Sequence, residues 1–299
     1  MTYENLLKAT AEQDPNLMVL TAENRAVIRG LPPVLGDRFI DFGIAEQTMI
    51  GAAAGLALRG RTPVAHALAT FLIFRAYEFV RDDVCIPGLP VKLVGGVPGF
   101  LSDGNGPTHQ AIEDVALMRG LPNMQVFTPS DEVELLQGMP KVLASGKPCY
   151  IRYCGIPAVV EHQPFELGKA EVLSEGKDVT LLTYGFMLRE TVAAKKVLES
   201  KGVSVRLVNL RMPKPVDEQA IVQAVKATPM VVTIEDHFLT GGLWSILGEV
   251  CLKHGVAPKK AMPIALEERW FKPALLADVL QHEGFTGEQI AQKVLREVR

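Results

Sequence analysis

Short apolar runs alternating with longer helical patterns constrain this chain's fold more than any other feature. The apolar runs stand at residues 17–21, 62–67, 91–95, 125–128 and 149–153, and helical patterns occupy 3–12, 44–58, 70–84, 110–119 and 131–144. Strands that are apolar on both faces and separated by helices require a parallel sheet covered on both sides. An α/β domain is therefore expected over residues 1–158. The chain then turns irregular around Pro157 and Pro164, and residues 159–168 read as a linker crossing the surface. A second alternation follows, with strands at 179–184, 204–209 and 230–235 and helices near 188–200, 217–227 and 243–254. It implies a second domain over residues 169–299, again a largely parallel sheet flanked by helices. Thr286 and Gln289 are spaced as a capping box, which opens a last helix running to about Arg299.

Two domains suit a length of 299 residues. The 31 basic residues are scattered and outnumbered by 34 acidic ones, so no nucleic-acid partner is expected. The longest charge-free apolar stretch, residues 49–58, falls well short of the roughly 20 residues a membrane helix needs. The first residues lack the basic and apolar regions of a secretory signal. Cys85, Cys149, Cys154 and Cys251 form no Cys-x-x-Cys pair and read as reduced thiols, which together with the missing signal points to the cytoplasm.

Three segments carry candidate chemistry. Glu46 follows Gly43-Ile44-Ala45 at a helix start, and residues 47–58 after it contain no ionisable side chain. A helix apolar on nearly all faces is normally buried, so Glu46 should enter the interior at its first turn. A carboxyl group in such a place can hold or pass a proton near neutral pH, while the alternative is an acid that only complements the helix dipole. Next, Phe71, Phe74 and Tyr77 fall three apart on an expected helix, an aromatic ridge fit either for core packing or for holding a flat heteroaromatic ring. Last, the loop from Gly99 to Gln110 contains Gly-Pro-Thr-His-Gln and follows an expected strand, where open α/β sheets bind ligands. His109 stands there at an expected helix start, either as a cap or as a group that hydrogen-bonds or shuttles protons to a substrate oxygen.

Taken together, Gly-Ile-Ala-Glu-Gln ending at Gln47, the aromatic trio and Gly-Pro-Thr-His-Gln resemble the C-terminal half of transketolase, a thiamine diphosphate enzyme, over essentially the whole chain. The resemblance implies a pyrimidine-binding domain followed by a transketolase C-terminal domain. It implies that Glu46 hydrogen-bonds the cofactor's aminopyrimidine N1' and that Phe71, Phe74 and Tyr77 surround the ring. It also implies that His109 contacts oxygens of a ketose donor. Glu23 matches the position of an aspartate near the cofactor. No Gly-Asp-Gly motif for Mg²⁺ is present, since Gly36-Asp37 is followed by Arg38. No metal site is therefore expected in this chain. The Mg²⁺ and diphosphate site must lie on a partner equivalent to the N-terminal half, giving an α2β2 heterotetramer in which this chain also self-associates through the Gly51 and Gly55 helix face. Alone, the subunit should be inactive.

Departures from the family cluster on substrate recognition. Asn105 stands where the family has an acid, Val97 replaces a phosphate-binding histidine, and Gly155 replaces an arginine. Losing a guanidinium removes a strong contact with phosphate. Arg152 remains nearby, and Arg25, Arg75 or a residue of the partner could restore an anion site for a phosphate or another group such as a sulfonate, with Asp103, Asn105 and His66 completing the substrate set. The expected activity is transfer of a two-carbon ketol unit from a ketose to an aldose. Alternatives are the beta subunit of a 2-oxo-acid dehydrogenase, a relative of 1-deoxy-xylulose-5-phosphate synthase, or a non-catalytic scaffold. Glu235, Asp236 and His237 are expected in a loop after a strand, in a structural role.

Overall fold

Both alternations become sheets with helices on either face, in a computed structural model that describes residues 1–298. The first sheet contains β1 Leu17–Thr21, β2 Phe39–Asp41, β3 Thr62–Leu68, β4 Lys92–Gly96, β5 Gln125–Phe127 and β6 Cys149–Arg152. Its order is β2-β1-β3-β4-β6-β5, and every pairing is parallel. The second contains β7 Glu171–Ser174, β8 Val179–Thr183, β9 Val205–Asn209, β10 Met230–Phe238 and β11 Lys260–Leu266, ordered β11-β10-β8-β9-β7. Only β7 runs antiparallel to its neighbour. The α/β class is as expected. Strands β1 and β8 are buried along their whole length, which is why they read as unbroken apolar runs.

Three strands, β2, β7 and β11, are additional to those expected, and all three lie at sheet edges. Half-exposed edge strands carry mixed sequences such as Phe39-Ile40-Asp41, which show no apolar run. Strand β10 is longer than expected, so Glu235, Asp236 and His237 lie inside a buried strand and not in the loop after it. Residues 70–84 form no single α-helix. Wide π-type turns at Phe71–Arg75 and Val80–Cys85 flank a short α-turn, and this removes the spacing-of-three ridge from the aromatic trio. The helix expected from residue 110 begins at Asp114, while His109 closes the separate 3₁₀ turn Pro107–His109. Thr286 Oγ1 accepts from the Gln289 N–H at 3.4 Å and Gln289 Oε1 accepts from the Thr286 N–H at 3.3 Å, the reciprocal pair of a capping box. The final helix spans Gly287–Val298, and Arg299 lies outside the described residues.

Register sets the geometry that matters. Thr21 pairs with Asp41 on one side and His66 on the other, and Leu68 pairs with Gly96, so the carboxyl ends of β2, β1, β3 and β4 lie side by side. The segments leaving those ends carry Glu23, Glu46, Phe71 and His109.

Candidate functional site

Glu46 begins the helix Glu46–Leu58 just after Gly43, whose positive φ of 63° lets the chain turn sharply from β2. Its residue is 1% exposed. The expected burial is present, and so is a partner that the sequence did not assign to it: Arg75 Nη1 donates to Glu46 Oε2 at 2.6 Å. Arg75 belongs to the wide turn after β3, and its side chain remains 33% exposed. Its guanidinium carbon lies 4.1 Å from the centroid of the Phe71 ring. Phe71 in turn meets the His109 ring edge-on at 5.3 Å. His109 Nδ1 lies 2.9 Å from Thr108 Oγ1, and Thr70 Oγ1 donates to the Thr108 carbonyl at 3.4 Å. A buried acid, a cation, an aromatic face and an imidazole thus form one continuous row from three separated segments.

The aromatic trio does not share one surface. Phe74 is 50% exposed, whereas Tyr77 packs against its domain's core and donates its hydroxyl to the Leu117 carbonyl at 2.9 Å. The helix Glu46–Leu58 is also less enclosed than its composition suggests. Ile44 just before it and Leu58 at its end are each 70% exposed, and a Cβ added at Gly55 would meet nothing within 4 Å. This bare apolar face adjoins Glu46.

On the other side of Glu46, an open cleft of about 590 Å³ is lined by Glu23, Arg25, Asp41, Gly43 and Ile44. Glu23 has a left-handed backbone with φ of 60°, and its N–H donates to Asp41 Oδ1 at 3.2 Å. Partial burial opposes ionisation of Asp41, yet the Gly43 N–H and the Arg25 guanidinium outweigh it and hold this carboxyl below the usual range. Arg25 Nε donates to Asp41 Oδ2 at 2.5 Å, and its side chain remains 50% exposed at the cleft. Val97, after β4, also takes a positive φ, of 45°. Strained backbone of this kind, here after β1 and β4 on either side of β3, is common at ligand sites. Asp103 and Asn105 lie in the same loop region as His109. Asp103 accepts from the Gly104 N–H at 2.5 Å, and exposed Asn105 donates Nδ2 to the Ser102 carbonyl at 3.0 Å.

Two expected site residues face elsewhere. His66 is buried, with Nε2 2.9 Å from the Tyr3 hydroxyl and Nδ1 3.2 Å from the Leu20 carbonyl, and burial pushes its pKa down to about 4. Arg152 is enclosed between two carboxylates, donating Nε to Asp114 Oδ2 at 2.9 Å and Nη1 to Asp236 Oδ1 at 2.5 Å. Both side chains are taken up by these protein partners. The Glu235 cluster has internal partners as well. Burial pushes Glu235 up to about 7, although it accepts from the Leu243 and Trp244 N–H groups at a helix start and from the Tyr184 hydroxyl.

Among the described residues, Glu134, His162 and Glu171 form the one cluster whose atoms could converge on a metal. Arg211 already sits in it, with Nε 2.8 Å from Glu134 Oε1 and Nη2 2.7 Å from Glu171 Oε1. Burial alone would lower the His162 pKa, but the carboxylates of Asp131, Glu171 and Glu134 hold it up at about 10. This cluster ties the linker to both sheets. His162 and Phe165 are buried beneath the surface the linker was expected to cross.

Two family descriptions match the chain: "Transketolase, pyrimidine binding domain" over residues 1–155 and "Transketolase, C-terminal domain" over residues 168–290. The chain is 39% identical over 297 residues to the 6-deoxy-6-sulfo-D-fructose transketolase subunit SqwH of Clostridium sp. (strain MSTE9), a match covering 97% of this chain and 91% of that one. It is 32% identical over 299 residues to the 1-deoxy-D-xylulose-5-phosphate synthase of Syntrophus aciditrophicus (strain SB), covering 98% of this chain but 46% of that longer protein. Among solved structures it resembles a "Split gene transketolase, inactive beta4 tetramer", with a TM-score of 0.89 and 34% identity, over 99% of this chain and 96% of that one.

Proposed function

This chain belongs to the transketolase family, and from that premise we propose that it is the C-terminal subunit of a two-chain enzyme moving a two-carbon ketol unit from a ketose to an aldose. The observation that carries the reading is the row from Glu46 through Arg75 and Phe71 to His109 at the carboxyl ends of β1 to β4. The residues fit thiamine, on a stand-in the chain itself supplies. The Arg75 guanidinium is a flat nitrogen-rich group that lies on Phe71 and donates to a buried carboxylate, the two contacts an aminopyrimidine ring needs there. Bound thiamine diphosphate would supply a thiazolium able to stabilise a carbanion.

The chain's own residues have the remaining tasks. Glu46 shares a proton with the pyrimidine nitrogen N1' in a water-poor pocket, donating it when its carboxyl is protonated and accepting from N1'–H once the proton has passed to the ring. Phe71 bounds the ring, while Phe74 and Tyr77 lie off that face, and Glu23 lies on the adjoining cleft. Arg75 must leave its seat when the ring enters, since two flat groups cannot share one face of Phe71. His109, steadied by Thr108, hydrogen-bonds the donor's oxygens, and Asp103 and Asn105 contribute from the same loop. Among the described residues no group of three or more ligating side chains converges beside Glu46, and we assign the metal and the diphosphate to an N-terminal partner chain. The bare face with Ile44, Gly55 and Leu58 suits burial against another subunit, within an α2β2 assembly.

The sulfofructose transketolase subunit among the relatives makes an anionic ketose, sulfonated or phosphorylated, the first donor to test. With Arg152 enclosed between two carboxylates, the anion falls to Arg25 on the cleft, to Arg75 once released, or to the partner. The similarity to 1-deoxy-D-xylulose-5-phosphate synthase supports a second reading, in which pyruvate replaces the ketose donor. Among the described residues no helix is long and apolar enough to cross a membrane, and a cytoplasmic enzyme is proposed. The test is co-expression with an N-terminal partner, addition of thiamine diphosphate and Mg²⁺, and a screen of sulfonated, phosphorylated and neutral ketoses beside pyruvate. Ketol transfer supports the reading. Turnover of pyruvate alone selects the second, and a complex unable to bind the cofactor overturns both.

A further inference from the structure

The loop that presents His109 is held mainly by the domain that carries none of the proposed chemistry. Its own domain meets it at the His109 end, through Phe71 and Thr70. Elsewhere its contacts run to the second sheet and the segment after β11. Phe100 is fully buried in the second domain's apolar core, edge-on to Phe271 at 5.3 Å and to Phe285 at 4.9 Å. The Phe100 N–H donates to Asp236 Oδ2 at 3.2 Å. Just past His109, the buried Gln110 side chain donates Nε2 to the Phe271 carbonyl at 2.9 Å, leaving its Oε1 without a partner. At Gly99, whose φ is 53°, an added Cβ would lie 2.0 Å from Asp236 Oδ2, so the loop backbone touches β10 only because that position is glycine. Both ends of residues 99–110 are therefore pinned to Phe271 and Asp236, with His109 one residue from the second pin.

We propose that the second domain is a positioning frame for substrate chemistry, with Phe271 and Asp236 fixing the loop that aims His109 at the donor. The inference rests on His109 acting on the ketose. Asp236 can serve as an anchor because Arg152 holds its other oxygen, which makes the buried Arg152 part of the frame. Displacing an aimed group by about 1 Å can cost on the order of a hundredfold in rate without any contact to substrate being lost.

The test uses the reconstituted two-chain enzyme with Phe271→Leu, which removes the edge-on ring, and Gln110→Leu, which removes the donor to Phe271. Each should raise KM for the ketose about tenfold, with affinity for thiamine diphosphate changed by less than about twofold, as measured by calorimetry. In a His109→Ala background, Phe271→Leu should add little, because the two act through one group. Equal losses in both backgrounds, or a loss of cofactor affinity in step with KM, would assign Phe271 to general packing and overturn the inference. If His109→Ala alone leaves donor kinetics intact, the reading of the site fails instead. Should the variants assemble poorly, hydrogen exchange on the isolated full chain decides the question. Faster exchange confined to residues 99–110 in Phe271→Leu supports the frame, and unchanged exchange there refutes it.

Discussion

Two groups of charged side chains in this molecule have similar ingredients and opposite character. At the seam between the sheets, Arg152 is closed in by Asp114 and Asp236, and Arg211 with His162 by Asp131, Glu134 and Glu171, all buried. At the strand ends, Glu46 is equally buried, but its single cation reaches it from a side chain still a third exposed, beside a half-exposed phenylalanine and a bare helix face. The seam answers its charges internally and has nothing left to offer a ligand. The Glu46 row is half satisfied, and the missing half is where a cofactor and a second chain enter. A buried ion pair with its partners complete is architecture, while one with a removable partner is a binding site.

The comparison can be broken most forcefully at the seam. Arg152→Met leaves two buried carboxylates facing each other, and the loss of one partner from such a cluster costs about 3–5 kcal/mol. Urea unfolding should show that loss, or the variant should fail to accumulate in soluble form. A change below about 1 kcal/mol would place Arg152 among surface pairs, where such small values are usual. Removing His109, in the open row, should leave unfolding unaltered while lowering ketol transfer in the assembled enzyme by about 10²-fold or more. Destabilisation comparable to that of the seam variant would erase the distinction between the two regions.

Titration sharpens the same contrast. Because the folded pKa of His162 is raised to about 10, its stabilising effect is fully present below the unfolded value near 6.5 and is lost as pH rises through the folded value. Thermal stability of the chain should therefore decline between pH 7 and 10, and His162→Gln should flatten that decline. An unchanged slope in the variant would remove His162 from the account. The smallest effect belongs to Arg75. Arg75→Gln frees the seat on Phe71, so the complex should bind thiamine diphosphate about three- to tenfold more tightly, while the isolated chain loses some stability because buried Glu46 loses its one cation. Weaker binding would make Arg75 a ligand of the cofactor and not its stand-in.

Much of the molecule was legible because it is locally encoded. The run Leu17–Thr21 and the helices Leu188–Ser200 and Leu243–His254 match their expected bounds, since burial on both faces or a 3.6-residue period leaves a direct trace in sequence. Edge strands β2 and β7 carry short mixed sequences, and in β11 Pro263 interrupts the apolar run at residues 261–266. At the site, burial of Glu46 followed from the uncharged residues after it. Its partner did not, because pairing between residues 29 apart has no periodic signature. The same limit explains Arg152 and His66. An arginine or histidine at a strand end looks identical in sequence whether it turns toward a cleft or a seam, and the residues that decide, Asp236 and Tyr3, lie 84 and 63 positions away. The aromatic spacing misled for a different reason, since wide π-type turns rotate Phe74 and Tyr77 off the face that Phe71 occupies.

The central claim is that Glu46 is the proton-handling half of a site completed by another chain, and Glu46→Gln tests it most directly. In the assembled two-chain enzyme with thiamine diphosphate and Mg²⁺, exchange of the cofactor's C2 proton for deuterium, followed by NMR after acid quench, should slow by about 10²-fold or more, while assembly and the unfolding midpoint stay as they were. Exchange at the unaltered rate in the Gln variant would contradict the account.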